Sequence, residues 1–599
     1  MESDTWRSNV PTKGKFRTWI AILIVAAVMA CFWPALQNSF VGYDDPDYVT
    51  RNPMVSAGWS WRLFPWAFTT ALSSNWHPLT WVSHALDCSL FGLAPQGPHL
   101  TSLVFHAANS ALLFLWLAGA TGFCWRCAFV ALAFGLHPLH VESVAWVAER
   151  KDVLSAFFFF LTLLAYTGYA RRRGAGRYVL VAVLYTAALL SKPMVVTLPL
   201  LLLVLDRWPL ARREPWHRLV LEKLPLLALS AASSAVTIWA QRAGGSVAAL
   251  DTLPLALRAE NATYSYLAYI GKTLWPVNLA AFYPFPFNGV AAWKVASATG
   301  VLAGFALVAW IARRTHPWIA SGWIWYAVML FPVIGIVQVG MQAMADRYMY
   351  LPMIGLLIPI AWELSRFSAT RLAAPLALAA LAAVSWQQIS YWHDGITLWT
   401  HALAVTQDNF VAHDNLGVEL DARGRADEAL DHYRETLHIR PQDRNGQLNY
   451  AQASFAKGER LFNSGHQVEA LGAFRDGLRY RPGNALAHSY TGAILTESGN
   501  LDGAIQEFHQ ALGIDPNLAS AYIGLSVALA RTGRLAEAER TLQQCVARNN
   551  SSIEAFYNLG LIEAAQGKRA GAIAAMERAL RIDPNYAPAL AALKALSRR

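Results

Sequence analysis

Nine apolar runs, each close to the roughly 20 residues that cross a bilayer as a helix, dominate the first two thirds of the chain. They lie near residues 18–38, 99–120, 127–146, 153–170, 221–240, 292–312, 318–339, 349–365 and 371–389. A further stretch, 178–206, is longer and is interrupted by Ser191-Lys192-Pro193. It reads as two short spans meeting at a kink, because proline cannot continue a helix. The spacing thus predicts a polytopic membrane domain of about eleven spans over residues 1–389. Such a chain cannot be a single soluble globule. Charge divides at the same place: residues 1–389 hold 28 Lys+Arg, 16 Asp+Glu and 22 of the 24 tryptophans, whereas 390–599 hold 21 basic and 23 acidic residues. The positive excess sits among apolar runs rather than on a polar face, which excludes a basic nucleic-acid binder. Five scattered cysteines do not make a disulfide framework.

Lysine and arginine in short loops stay on the cytoplasmic side. Arg7, Lys13, Lys15 and Arg17 hold the N-terminus inside, and alternation then places inside Arg126, Arg171-Arg172-Arg173, Arg212-Arg213 and Arg313-Arg314. The long segments 39–98 and 241–291 fall outside, with five basic residues in 111 positions. This holds if 178–206 crosses twice and 255–276 lies along the outer interface, and parity then puts the C-terminal part outside. The first run reads as an uncleaved anchor rather than a signal peptide, because many spans follow.

Residues 410–599 carry a repeat of 34. Gly465, Gly499, Gly533 and Gly567 fall at that interval, as do Ala470, Ala504, Ala538 and Ala572 and the bulky Phe474, Phe508, Leu542 and Met576. An earlier copy with Gly417, Gly424, Ala429, Tyr433 and Pro441 is followed by a seven-residue insertion. The pattern resembles the tetratricopeptide repeat, two antiparallel helices per unit. About five repeats are expected, plus a half-unit around Trp399, forming an α-solenoid of the kind that binds protein segments.

The outer loop 39–98 holds the densest chemistry. Three carboxylates, Asp44, Asp45 and Asp47, follow the first span directly, and Trp76-His77-Pro78 comes later. Adjacent acids can divide labour, one acting as base while the other orients it, and an Asx-rich turn at the membrane exit produces the same spacing. His137, His140 and Glu142 open a second polar group that continues with Glu149-Arg150-Lys151-Asp152. These residues have ligand chemistry without the spacing of a metal site, and structural hydrogen bonding is their other reading. Lys192 at the break needs a partner or a wet cavity inside a bilayer. Arg347, in Asp346-Arg347-Tyr348, has the planar fork that matches phosphate oxygens and equally suits an interfacial anchor.

Taken in order, Tyr43-Asp44-Asp45, Trp76-His77-Pro78-Leu79-Thr80-Trp81, His137-Pro138-Leu139-His140-Val141-Glu142, Ser191-Lys192-Pro193, Ala345-Asp346-Arg347-Tyr348 and a repeat tail resemble the transmembrane-and-tetratricopeptide-repeat proteins. That family is related to protein O-mannosyltransferases of the membrane-embedded GT-C glycosyltransferase fold. The resemblance implies an all-α chain with a GT-C-like membrane domain at 1–389, its outer catalytic loop at 39–98, and a repeat solenoid at 390–599. It implies transfer of a hexose from a polyprenyl-phosphate-linked sugar to an acceptor hydroxyl, with inversion at the anomeric carbon. By the same resemblance Asp44 and Asp45 carry the base, with Asp47 an alternative, while Lys192 and Arg347 neutralise the donor phosphate. Asp47, His77, His137, His140, Glu142 and Arg150 line the cavity. The partners implied are the lipid-linked sugar, an acceptor protein recruited by the repeats and membrane lipid, with no nucleic acid. No cofactor is assigned, and a divalent metal is left open. Lys192 is followed by Pro193 where many GT-C members have an acid.

A bacterial inner membrane with periplasmic repeats fits the short loops, and an endoplasmic-reticulum membrane with lumenal repeats has the same topology. Two other readings compete. A non-catalytic membrane scaffold would place no demand on Asp44 and Asp45. A transporter would carry an inverted repeat between membrane halves, which this sequence does not show.

Overall fold

The structure is a computed structural model that describes residues 13–243, 245 and 253–598. The anchoring charge Arg7 and part of the outer segment 241–291 lie outside the described residues. Two compact units divide the chain, Met1–Leu416 and Gly417–Arg599. Apart from an antiparallel pairing of Tyr283–Pro284 with Gln342–Met344, the described elements are helices.

Six helices of the first unit are long and apolar enough to cross a membrane: Gly14–Gln37, Gln96–Thr121, Val147–Arg171, Trp216–Ala243, Ala292–Ala312 and Thr370–Tyr391. The first unit is therefore built as a multi-pass membrane unit. Cys124–Gly135 and Pro138–Ala145 make a seventh if they count as one span bent by 51°. The bend falls at His137-Pro138, where proline removes a backbone donor and the His137 side chain accepts from the Leu139 N–H instead. The apolar runs 318–339 and 349–365 form only Pro317–Leu330 and Met353–Leu364. A 14-residue helix extends about 21 Å against a hydrocarbon core of about 30 Å. Among the described residues, then, six helices, or seven with the bent pair, are long and apolar enough to cross a membrane by themselves.

The break at Ser191-Lys192-Pro193 is as expected. Proline disfavours helical conformation at the preceding residue; here Ala175–Ser191 ends, Lys192 is extended at φ −156°, and a helical turn Pro193–Thr197 leads into Leu198–Arg207. The freed backbone oxygens find donors. Thr80 donates to the Ser191 carbonyl at 2.9 Å, and Ser155 donates to those of Ala188 and Lys192. Backbone can be irregular at membrane depth only when it is satisfied in this way.

Pro317–Leu330 and Met353–Leu364 meet through Gly322 and Gly355. A Cβ on Gly322 would lie 2.3 Å from the Gly355 carbonyl oxygen, and one on Gly355 2.4 Å from that of Gly322. Backbone cannot yield as a side-chain tip can, so Gly355→Ala is expected to destabilise the first unit by about 1–3 kcal/mol. A lowered thermal midpoint in nanodiscs checks this.

The first unit extends past the composition boundary at 389 because Gly395–Val405 packs onto it. His401 stacks on Tyr391 at 3.6 Å, its Nε2 lies 3.0 Å from the Leu279 carbonyl, and Asn409 donates to the Phe282 carbonyl. The half-unit around Trp399 therefore sits within it.

The second unit is a succession of helix pairs. Gly465, Gly499, Gly533 and Gly567 turn the chain between paired helices at φ of +75° to +85°, a region where a Cβ is strained. Ala470, Ala504, Ala538 and Ala572, with Phe474, Phe508, Leu542 and Met576, are the buried contacts between helices. The insertion has a simple form: Arg444–Asn463 is 20 residues long where Ala485–Glu497, Ala519–Arg531 and Ile553–Ala565 are 13. Seven extra residues are nearly two helical turns, so the array resumes its phase.

Candidate active site

Four segments remote in sequence bring their side chains together. The exit of the first span supplies Asp44, Asp45 and Tyr48, and the entry to Val147–Arg171 supplies Glu149, Lys151 and Asp152. The short pairing of Tyr283–Pro284 with Gln342–Met344 sets up Arg347, while the helix break supplies Lys192. Arg347 is fixed from behind: Asn261 holds the Ala343 carbonyl at 2.9 Å, Tyr269 bonds both backbone groups of Ala345, and Tyr283 donates to Asp346 at 2.9 Å. Burial holds the Asp346 carboxyl up at about 6.

Glu149 is the hub. Its carboxylate meets Lys151 at 3.0 Å, Lys192 at 3.0 Å and Arg347 at 3.3 Å. Lys192 also pairs with Asp152 at 2.6 Å. Arg347 pairs with Glu142, which accepts the Arg347 backbone N–H as well at 2.8 Å. Arg347 further lies over the rings of Trp146 and Tyr348, at 5.4 and 5.1 Å. Burial opposes its charge, but Glu142, Tyr348 and Glu149 keep it firmly protonated. Three cations thus converge with three carboxylates, Glu142, Glu149 and Asp152, in one cluster of small residual exposure, where the lysines and the arginine have the chemistry to meet a phosphate.

The two adjacent aspartates are not equivalent. Asp45 is buried, and its two oxygens accept the backbone N–H groups of Val41 and Ala148, each at 2.9 Å. It ties the first outer loop to the start of Val147–Arg171, with its carboxyl raised to about 7 by burial. Asp44 is half-buried, and among the described residues its carboxylate enters no ion pair or hydrogen bond. Burial raises its pKa, Lys151 and Arg347 oppose the rise, and Glu149 adds to it. Asp44 is the free carboxylate beside the cations. Asp47 is exposed and accepts from Ser73 at 3.4 Å.

His77 lies on the far side of Tyr48, its Nε2 3.0 Å from the Tyr48 hydroxyl, which Lys151 also approaches at 3.4 Å. Burial lowers the His77 pKa well below the ordinary range and leaves the ring neutral. His137 and His140 are elsewhere, buried at the bend and bonded to the Thr273 and Phe134 carbonyls. Arg150 faces away from the cluster. It is fully buried against Asp87 at 2.8 Å and bonds Ser102, Ser83 and the Pro98 carbonyl. Arg150→Met strands Asp87 without its ion partner and is expected to cost about 3–5 kcal/mol, read as a fall in thermal midpoint. Among the described residues no group of three or more His, Cys, Asp or Glu side chains is placed to hold a metal ion, because the clustered carboxylates face lysine and arginine instead.

Family models described as tetratricopeptide repeat match residues 414–440, 455–519, 495–560 and 553–586. Protein O-mannosyl-transferase TMTC3 of Mus musculus is 24% identical over 509 residues, 71% of this chain and 52% of that protein. Protein O-mannosyl-transferase TMTC1 of Homo sapiens is 32% identical over 156 residues, 24% of this chain and 18% of that protein. The chain is related to the transmembrane-and-tetratricopeptide-repeat proteins. It spans about half the length of the TMTC3 relative. Among solved structures, the tetratricopeptide-repeat protein YrrB is 21% identical, with 33% of this chain and 97% of that chain covered at a TM-score of 0.28.

The sequence marks Glu149-Arg150-Lys151-Asp152 as one polar group, but the residue taken from it as cavity-lining, Arg150, is the one that turns away from the cluster. Helical phase carries the missing signal: residues three apart share a face and adjacent ones do not. Glu149 and Asp152 therefore point together toward Lys192 while Arg150 turns to Asp87.

Proposed function

We propose that the chain is an integral-membrane glycosyltransferase that moves a hexose from a polyprenyl-phosphate donor to an acceptor hydroxyl. Mannose is the sugar suggested by the names of the relatives. The acceptor is a serine or threonine of a protein recruited by the repeats. The observation that carries this reading is the Asp44 carboxylate, without an ion pair among the described residues and within the field of Lys151 and Arg347, two of the three cations that with Lys192 converge on Glu149. One group is free to take a proton while the others receive a phosphate.

In the proposed step Asp44 removes the acceptor O–H proton as that oxygen bonds to the anomeric carbon. The carbon–oxygen bond to the phosphate breaks from the opposite face, and its electron pair passes to the phosphate oxygen. Lys192 and Arg347 stabilise the charge that develops there. Asp45 acts as a positioning residue, because its hydrogen bonds are already committed to backbone. The membrane placement proposed is a bacterial inner membrane with cytoplasmic N-terminus and periplasmic repeats. It requires an odd number of crossings, which seven long spans satisfy and the eleven expected from the sequence satisfy equally.

The test uses the full chain in nanodiscs with radiolabelled polyprenyl-phosphate hexoses and a cell-envelope protein extract. Label in protein that is lost in Asp44→Asn supports the transferase. Transfer that survives moves the base to Asp47, and no transfer with any donor favours a scaffold. The pH profile gives a further expectation. A base must be ionised to act, and Asp44 is raised by burial, so activity falls on acidification at a pH above the ordinary carboxylate value of about 4.

A further inference from the structure

Val147–Arg171 carries the candidate active site at its start and a second concentration of charge at its end, so the two stand at opposite bilayer faces. Residues 171–177 and 207–218 together hold eight arginines and a single acid, Glu214. Each segment adjoins a spanning helix: Arg171 ends Val147–Arg171, and Trp216 opens Trp216–Ala243. Arg173 ties the two segments together, at 2.7 Å from Glu214 and 3.3 Å from Glu222. Arg212 takes the same two carboxylates at 3.3 and 2.8 Å. Asp206, the other acid nearby, is fully buried and held by Tyr166, Arg212 and Lys223. The local acids are thus spent inside the fold. Arg171, Arg172, Arg177, Arg207, Arg213 and Arg218 are exposed, and among the described residues none of them enters an ion pair.

What lies next to these arginines identifies their occupant. Leu180 follows Arg177, and Leu221 follows Arg218, at the three-residue interval that shares one helix face. Val179, Leu180 and Val183 are exposed on one helix, and Val220, Leu221 and Leu224 on the other. Trp216 is exposed beside them, with the Arg207 guanidinium 4.6 Å from its ring centre, as suits an indole at the boundary of head groups and acyl chains. Arginine forks without acidic partners at a bilayer surface match phosphodiester oxygens, and the apolar side chains one turn deeper match acyl chains. A soluble anion would engage the arginines alone. We propose that the face formed by Arg172, Arg177, Arg213 and Arg218, with Leu180 and Leu221 one turn deeper, binds an anionic phospholipid. A zwitterionic lipid gains less there, because its own ammonium is repelled by the arginines. The site does not depend on the transferase reading.

The test needs no activity. The full chain is placed in nanodiscs of equal parts phosphatidylcholine, phosphatidylglycerol and cardiolipin. It is then released for native mass spectrometry, and the lipids still bound are counted. The expected result is several-fold more phosphatidylglycerol and cardiolipin retained than phosphatidylcholine. Arg172→Gln/Arg213→Gln/Arg218→Gln is expected to reduce that preference several-fold with the fold intact, since none of these side chains bonds another described residue. Arg313→Gln/Arg314→Gln, just past the end of Ala292–Ala312, is expected to keep it. No preference in the unmodified chain, or an equal loss in both variants, overturns the proposal. A second measurement, free of substitutions, separates a lipid from a soluble anion. Phosphatidylglycerol added to phosphatidylcholine nanodiscs is expected to raise the thermal midpoint, as a ligand of the folded state does, and inorganic phosphate is not. The same rise from phosphate, or none from phosphatidylglycerol, overturns the proposal equally.

Discussion

Asp44→Asn is expected to lower sugar transfer by about 10²- to 10⁴-fold, the range that a general base contributes, with no change in thermal midpoint. The half-buried Asp44 carboxylate holds no structural partner among the described residues, so exchanging it for an amide breaks nothing. Asp45→Asn is expected to behave in the opposite way. Asp45 accepts from Val41 and Ala148 with separate oxygens, and asparagine presents an amide N–H₂ to one of those donors. A buried donor left unmatched costs about 1–3 kcal/mol, so the midpoint falls, and activity falls only as far as the loop detaches from Ala148. Measuring transfer and thermal midpoint on both variants separates the roles. Equal loss of transfer at unchanged stability in both would return the base to the pair.

Arg347→Gln is expected to have the largest combined effect. Arg347 is the ion partner of Glu142 and one of three cations on Glu149. Its removal leaves Glu142, which is buried, with the residue-347 backbone N–H. Breaking a buried pair from one side costs about 3–5 kcal/mol. Transfer falls as well, by about 10²- to 10³-fold, as when an oriented charge donor is removed. The double variant Arg347→Gln/Glu142→Gln removes both buried charges and is expected to recover much of the stability and none of the transfer. Recovery of both would reduce Arg347 to a structural ion pair.

The helical class, the break at Lys192 and the repeat phase were legible in sequence because each rests on local rules. Proline disfavours helix at the residue before it, and a 34-residue interval reports a unit packed on its own copy. Even the insertion could be read, since seven residues lengthen a helix by nearly two turns. The number of membrane crossings was less legible: hydropathy marks apolar runs, and it does not see Pro317–Leu330 end at 14 residues.

The site was legible in its residue types and not in their partnerships. Tyr43-Asp44-Asp45 marks carboxylates at the membrane exit, but two neighbouring aspartates look alike in a sequence. Only the tertiary structure turns Asp45 onto the Val41 and Ala148 backbone and leaves Asp44 free. His137 and His140 have ligand chemistry, and burial at a helix bend gives them backbone carbonyls instead. The sequence by itself determined an all-helical chain, its membrane-type and repeat parts, and the lysine at the helix break, because backbone sterics and hydrophobic period act over a few residues. The tertiary structure decided which charges meet. Glu142, Glu149, Lys192 and Arg347 are brought together across as many as 205 positions, and a buried charge is held by whichever opposite charge packing places within reach.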